Sequence, residues 1–77
     1  MKYIIFENGE PVIFPDTLSH KEVAGNHPVK SAGFCTVETY LNQFDDLRAM
    51  ATVWGESISL GKKSDDKDED IIESIWR

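Results

Sequence analysis

The sequence predicts a small α+β domain, an antiparallel sheet in the chain order ββ-α-βββ-α with a C-terminal helix packed on one face. Three observations carry that prediction. Asn8-Gly9 stands between two β-prone apolar runs, "KYIIFE" and "PVIF". "FCTVETY" and "TVW" flank a polar stretch, "NQFDD". The segment "SDDKDEDIIESIWR" has its acids first and its apolar residues late.

Asn and Gly both tolerate the positive φ of a type I′ turn, so Asn8-Gly9 marks a tight hairpin. Strands follow at about 2–7 and 11–14. Pro11 and Pro15 lack N–H donors, which makes the second strand short and places it at a sheet edge. Next, "PDTLSHKEVAGNHP" holds one or two helical turns. Ser19 is the N-cap, and Glu22 three residues on completes a capping box. Gly25 or Asn26 takes the C-terminal position, and Pro28 prevents continuation.

The middle of the chain admits two readings. Val37, Tyr40, Leu41, Phe44, Leu47 and Ala51 fit a helical stripe. The β-branched and aromatic content on either side of a polar loop instead favours a hairpin with strands near 33–41 and 47–54, and that reading is preferred. Gly55-Glu56 then turns into a short strand, Ser57 to Leu60. Finally, Ile71, Ile72, Ile75 and Trp76 share one helical face. Ser64 is expected to cap this helix, with the aspartates at its positive end and Arg77 at the other.

A chain of 77 residues forms one small domain of marginal stability, which dimerisation would complete. Its 40% apolar content and eight aromatic residues are too rich for a disordered chain. The single cysteine, Cys35, excludes an internal disulfide and thiol-rich zinc sites. Neither a signal peptide nor a membrane span is readable, so a cytoplasmic protein is expected. The net charge of −6 argues against direct binding of nucleic acid, whose phosphates need Lys and Arg.

The stretch "SLGKKSDDKDED" attracts chemical readings that its spacing rejects. Gly55 and Gly61 have five residues between them where a phosphate loop has four, and Lys62 is followed by Lys63 before Ser64. Asp66, Asp68 and Asp70 open like a calcium loop, but Ile71 stands where glycine is needed and Arg77 where glutamate is needed. His20, His27 and Cys35 fit no metal-ligand spacing and no assembled nucleophile. No cofactor and no catalytic residue is therefore assigned. Lys62, Lys63, Ser64 and Trp54 remain as candidate contacts for an anion or a partner. Trp54 and Trp76, like most aromatics in so small a domain, are expected in the core, and one left exposed would anchor a partner or a second copy.

Taken as an ordered set, "FPDTLSHKEVA", "SAGFC", "WGESISLGKKS" and "DIIESI" resemble a group of small uncharacterised proteins encoded by bacteriophages and prophages. The resemblance implies a bacterial cytoplasm and an accessory role in a phage life cycle, and it transfers no catalytic residue. The leading functional expectation is a non-enzymatic module that binds another protein, from host or phage. Two alternatives stand beside it: an acidic mimic of nucleic acid, and a small anion-binding protein or enzyme using residues 61–64.

Overall fold

A computed structural model describes residues 1–76; the placement of Arg77 falls outside them. β1 (Lys2–Phe6) and β2 (Pro11–Phe14) form the first hairpin, and α1 (His20–Ala24) follows. The long β3 (Val29–Leu41) then pairs with β4 (Leu47–Trp54). Two short strands, β5 (Glu56–Ser57) and β6 (Lys62–Lys63), precede α2 (Asp68–Glu73) and a 3₁₀ turn over Ser74–Trp76. The main sheet is antiparallel in the order β2-β1-β3-β4, and β5-β6 form a separate two-stranded sheet. The hairpin reading of the middle segment holds, and the proline-bearing β2 is an edge strand as expected.

The local signals at the start of the chain act as the sequence suggests, with one change. The first turn has three residues rather than two. Gly9 N–H donates to Phe6 O at 2.8 Å and Glu10 N–H to the Asn8 side chain at 2.9 Å. Only Gly9 takes a positive φ, +88°, so Asn8 works through its side chain rather than through a type I′ backbone. In α1 both halves of the capping box form: Glu22 N–H donates to Ser19 Oγ and Ser19 N–H to Glu22 Oε1. Gly25 closes the helix through its N–H to Lys21 O.

Two apolar layers form, one on each face of the sheet. On one face Tyr3, Ile5, Cys35 and Ala51 pack with Ile72 of α2, joined by Val37, Val53, Ile71 and Trp76. On the other, Ile4, Phe14, Val29 and Ala32 pack with Ala24 of α1, joined by Val12, Val23 and Leu60. Each fully buried isoleucine contributes roughly 1.5–3 kcal/mol by leaving water. Ile75, expected on the packed face of the C-terminal helix, is exposed, because the chain has already tightened into the 3₁₀ turn there.

The stretch from 55 to 68 departs most from expectation. Instead of one strand from Ser57 to Leu60, β5 ends at Ser57, the chain turns, and β6 returns over Lys62–Lys63. Ile58 is left 89% exposed at that turn. Gly33 explains why this small hairpin lies where it does. A Cβ on Gly33 would come 2.6 Å from Trp54 O and 3.1 Å from Ser64 Cβ, so only glycine lets both segments cross β3 so closely.

Ser64 does not cap α2. Its N–H donates to Gly55 O, which holds it in line with β6. Asp65 takes the turn instead: its Oδ1 accepts from Lys67 N–H at 2.9 Å, and its carbonyl accepts from Asp68 N–H at 2.8 Å. Aspartate competes well for nearby backbone donors, and the helix is delayed to Asp68.

Candidate functional site

β3 is the longest element, and its thirteen residues span roughly 43 Å of extended chain. The longest dimension of the molecule is 41 Å. β1 pairs with β3 only over Val29–Phe34, whereas β4 pairs with Phe34–Leu41. Beyond Cys35 the sheet therefore narrows to two strands, and the end of the β3–β4 hairpin projects as an arm.

This arm concentrates exposed apolar side chains. Leu41 is 65% exposed, Phe44 73% and Met50 59%, and Tyr40 and Leu47 are about half exposed. The loop that carries Phe44 is held by several local hydrogen bonds. Asn42 Oδ1 accepts from Phe44 N–H at 2.8 Å and from Asp46 N–H at 3.0 Å. Asn42 N–H donates to Asp46 O, and Asp45 takes a left-handed φ of +61°. The turn thus fixes Phe44 in water by local bonds.

Strand alternation divides the arm into two faces. Phe34, Thr36, Glu38 and Tyr40 lie opposite Trp54, Thr52, Met50 and Arg48 respectively. Thr36, Glu38, Tyr40, Met50, Thr52 and Trp54 on this face are all exposed. Trp54 was expected in the core; it is instead 47% exposed and stacked on Phe34 at a centroid distance of 6.4 Å. Behind Phe34 a row of rings runs into the fold, with His20 edge-on to both Phe34 (5.9 Å) and Phe14 (5.5 Å). Trp54 is the exposed end of that row.

The two edges of the arm differ. α2 guards the outer edge of β4: Val53 N–H donates to Glu69 Oε2 at 3.0 Å, and Ala51 N–H to Glu73 Oε2 at 2.8 Å. Residues four apart on a helix rise about 6 Å, close to the ~6.7 Å between alternate residues of a strand. The match lets one helix face satisfy two successive edge donors. On the other side of the arm, Cys35 N–H donates to Met1 O, and past that point β3 has no neighbouring strand among the described residues.

The remaining sequence candidates fall elsewhere. Lys62 and Lys63 lie on β6, where Lys63 is opposite Glu56 and Lys62 opposite Ser57. Ser64 packs over Gly33 with its N–H engaged. The Trp54 carbonyl and the Ser64 side chain both lie over Gly33. His20 donates through Nε2 to Gly33 O at 2.8 Å and belongs to the α1 face, while Cys35 belongs to the α2 face, so the sheet separates imidazole and thiol. Burial raises the Cys35 thiol pKa, which keeps it protonated and inert. Among the described residues no three His, Cys, Asp or Glu converge as a metal site. A hollow of about 380 Å³ lies between the first hairpin turn and the end of α1, lined by Phe6, Glu7, Glu10, Val23, His27 and Pro28 among others.

Sequence reasoning missed three acids. Asp68 is 2% exposed and accepts from Tyr3 Oη, and Glu69 and Glu73 close the β4 edge. The spacing of Glu69 and Glu73 was visible as i, i+4, but the strand they meet was not. Glu7 and Glu10 flank the first hairpin turn, and Asp45 and Asp46 lie at the tip of the arm; β1 and β3 are antiparallel, so these pairs stand at opposite ends of the sheet.

The fold is that of a small α+β protein with an extended hairpin arm, and none of its described helices is long and apolar enough to cross a membrane. Comparison with protein-family models, with curated proteins and with solved structures finds no match.

Proposed function

We propose that the protein is a non-enzymatic interaction module whose binding surface is the β3–β4 arm. The observation that carries this reading is the set Tyr40, Leu41, Phe44, Leu47 and Met50, all exposed on the two faces and the tip of one projecting hairpin. Exposed apolar side chains gathered in one place mark binding surfaces, whereas singly scattered ones do not. Aromatic residues and methionine are the types enriched where proteins meet. The hydrogen-bonded turn at Asn42 holds the tip in shape, so little conformational entropy is lost when it docks. Glu7 and Glu10 stand at the opposite end of the sheet from Asp45 and Asp46, which favours this reading over a mimic of nucleic acid, which needs one charged face.

The test is affinity capture from a bacterial lysate followed by mass spectrometry, using the wild type and the triple variant Leu41→Ser/Phe44→Ser/Met50→Ser. A protein retained by the wild type and lost by the variant supports the arm as the binding surface. An identical set of captured proteins overturns it. Far-UV circular dichroism of both forms establishes that the variant is folded.

A further inference from the structure

We infer that the arm's occupant is a second copy of this chain, joined to the first by antiparallel pairing of the free edge of β3 with itself across a two-fold axis at Thr39. The inference rests on the reading of the arm as a binding surface and names its partner.

Backbone direction comes first. Ala51 and Val53 turn their N–H groups outward to Glu73 and Glu69, so they form the non-hydrogen-bonded pairs of the β3–β4 ladder. Their partners on β3 are Val37 and Cys35. By alternation, Cys35, Val37, Thr39 and Leu41 all direct their N–H and C=O groups away from β4. Cys35 N–H meets Met1 O; for Val37, Thr39 and Leu41 no neighbouring strand is present among the described residues. Three consecutive outward-facing residues therefore present donors and acceptors on one straight edge.

That edge lacks most of the devices by which proteins blunt exposed strands. Residues 37–41, "VETYL", contain no proline, glycine or lysine; Val37, Thr39 and Tyr40 are strong strand formers, and Glu38 is the one charged side chain. The contrast with β4 is informative, because the same arm has its other edge occupied by two glutamates.

The sequence of the edge is complementary to itself. With Thr39 opposite its own copy, Val37 faces Leu41 of the second chain and Glu38 faces Tyr40. No like charges meet, and Thr–Thr and apolar cross-strand pairs are favourable. Outward groups at 37, 39 and 41 would make about six hydrogen bonds. The axis also answers the net charge of −6 per chain. It sends the tips bearing Asp45 and Asp46 in opposite directions, roughly 25 Å apart, well beyond the screening length of about 8–10 Å. An isologous contact of this kind closes on itself as a dimer.

Full-length protein tests this by sedimentation velocity and by oxidative cross-linking. Thr39→Cys places two thiols in a hydrogen-bonded pair with Cα atoms about 5.5 Å apart, within disulfide range. It is expected to give a species of twice the 8.7 kDa chain, while Thr52→Cys, on β4, is not. Thr39→Pro removes an outward donor without touching the β3–β4 ladder, and Thr39→Lys sets like charges face to face. Each is expected to weaken a wild-type dimer about tenfold or more with an unchanged circular dichroism spectrum. A wild type that stays monomeric at millimolar concentration overturns the inference, as does a dimer indifferent to both substitutions. A monomer that still captures another protein through Leu41, Phe44 and Met50 overturns self-pairing alone and leaves the interaction module standing.

Discussion

Tyr3 Oη donates to Asp68 Oδ2 at 2.6 Å, joining residues 65 apart in the chain. The phenol belongs to the first strand and the carboxylate to the first turn of α2. Both are buried, and Asp68 Oδ2 also accepts from Asp65 N–H at 3.1 Å. A carboxylate this deep needs its donors, since an unsatisfied buried polar group costs about 1–3 kcal/mol and a charged one more. Tyr3→Phe is therefore expected to lower unfolding free energy by about 2–3 kcal/mol, measured by urea denaturation. A loss within experimental error would show that Asp68 does not depend on this bond.

The same pair sets an alkaline limit on stability. Burial, reinforced by the neighbouring Asp68 carboxylate, holds the Tyr3 phenol well above its ordinary range. In the unfolded chain tyrosine ionises near pH 10, so above that pH only the unfolded state releases this proton. The contribution is fully present below about pH 10 and is lost as pH rises toward the folded value. Urea midpoints taken from pH 8 upward should fall beyond about pH 10, and Tyr3→Phe should flatten that decline.

The acids of α2 that meet β4 are expected to behave as acceptors rather than as charges. Glu73→Gln keeps an oxygen for Ala51 N–H and should cost little. Glu73→Ala and Glu69→Ala each remove one bond, worth about 1 kcal/mol in urea denaturation. The double alanine variant exposes β4 donors and should raise light scattering at high concentration. Equal stability of the Ala and Gln variants would mean that the carboxylates do not close the edge.

Phe44 and Ser31 test opposite ends of the same idea. Phe44 is held in water by a turn that does not need its ring, so Phe44→Ser should leave stability within about 0.5 kcal/mol. Ser31 Oγ is buried with no hydrogen-bond partner among the described residues. Ser31→Ala should raise the urea midpoint, because an unpaired hydroxyl is removed from the interior.

Cys35 reports on the core. It is fully buried between β1 and α2, and its thiol is protonated through burial. Reaction with a thiol reagent at pH 8 is expected to follow the opening of the sheet and to accelerate in urea. Stoichiometric labelling within the mixing time would contradict that placement.

What the sequence made legible was local chemistry. Ser19 and Glu22 form a capping box because their geometry needs only each other, and Pro11 marks an edge strand because a missing donor has one consequence. The arm was legible as a hairpin, since "FCTVETY" and "TVW" carry β-branched and aromatic residues on both sides of Asn42. Its exposure was not legible. Tyr40 and Leu47 fit an apolar stripe, and nothing local to them signals that they lie where the sheet has narrowed to two strands. Likewise, the strand placed over Ser57–Leu60 failed because Gly33, more than twenty residues earlier, decides where that segment crosses. Ser64 does not cap the helix because its N–H is held by Gly55 O, and Asp65 forms the turn that precedes it. Asp68 read as part of an acidic helix start, Glu73 drew no reading, and the partners Tyr3, Val53 and Ala51 carry no local sign of the bond.

The guarding of β4 by Glu69 and Glu73 has a consequence in time. The two glutamates lie 16 and 22 residues after the backbone donors they satisfy. β3 and β4 are joined by a short turn, and hairpin formation takes about 1–10 microseconds; closing the β4 edge needs the longer loops to Glu69 and Glu73 as well. A refolding chain is therefore expected to form the arm with both edges bare before α2 covers one of them.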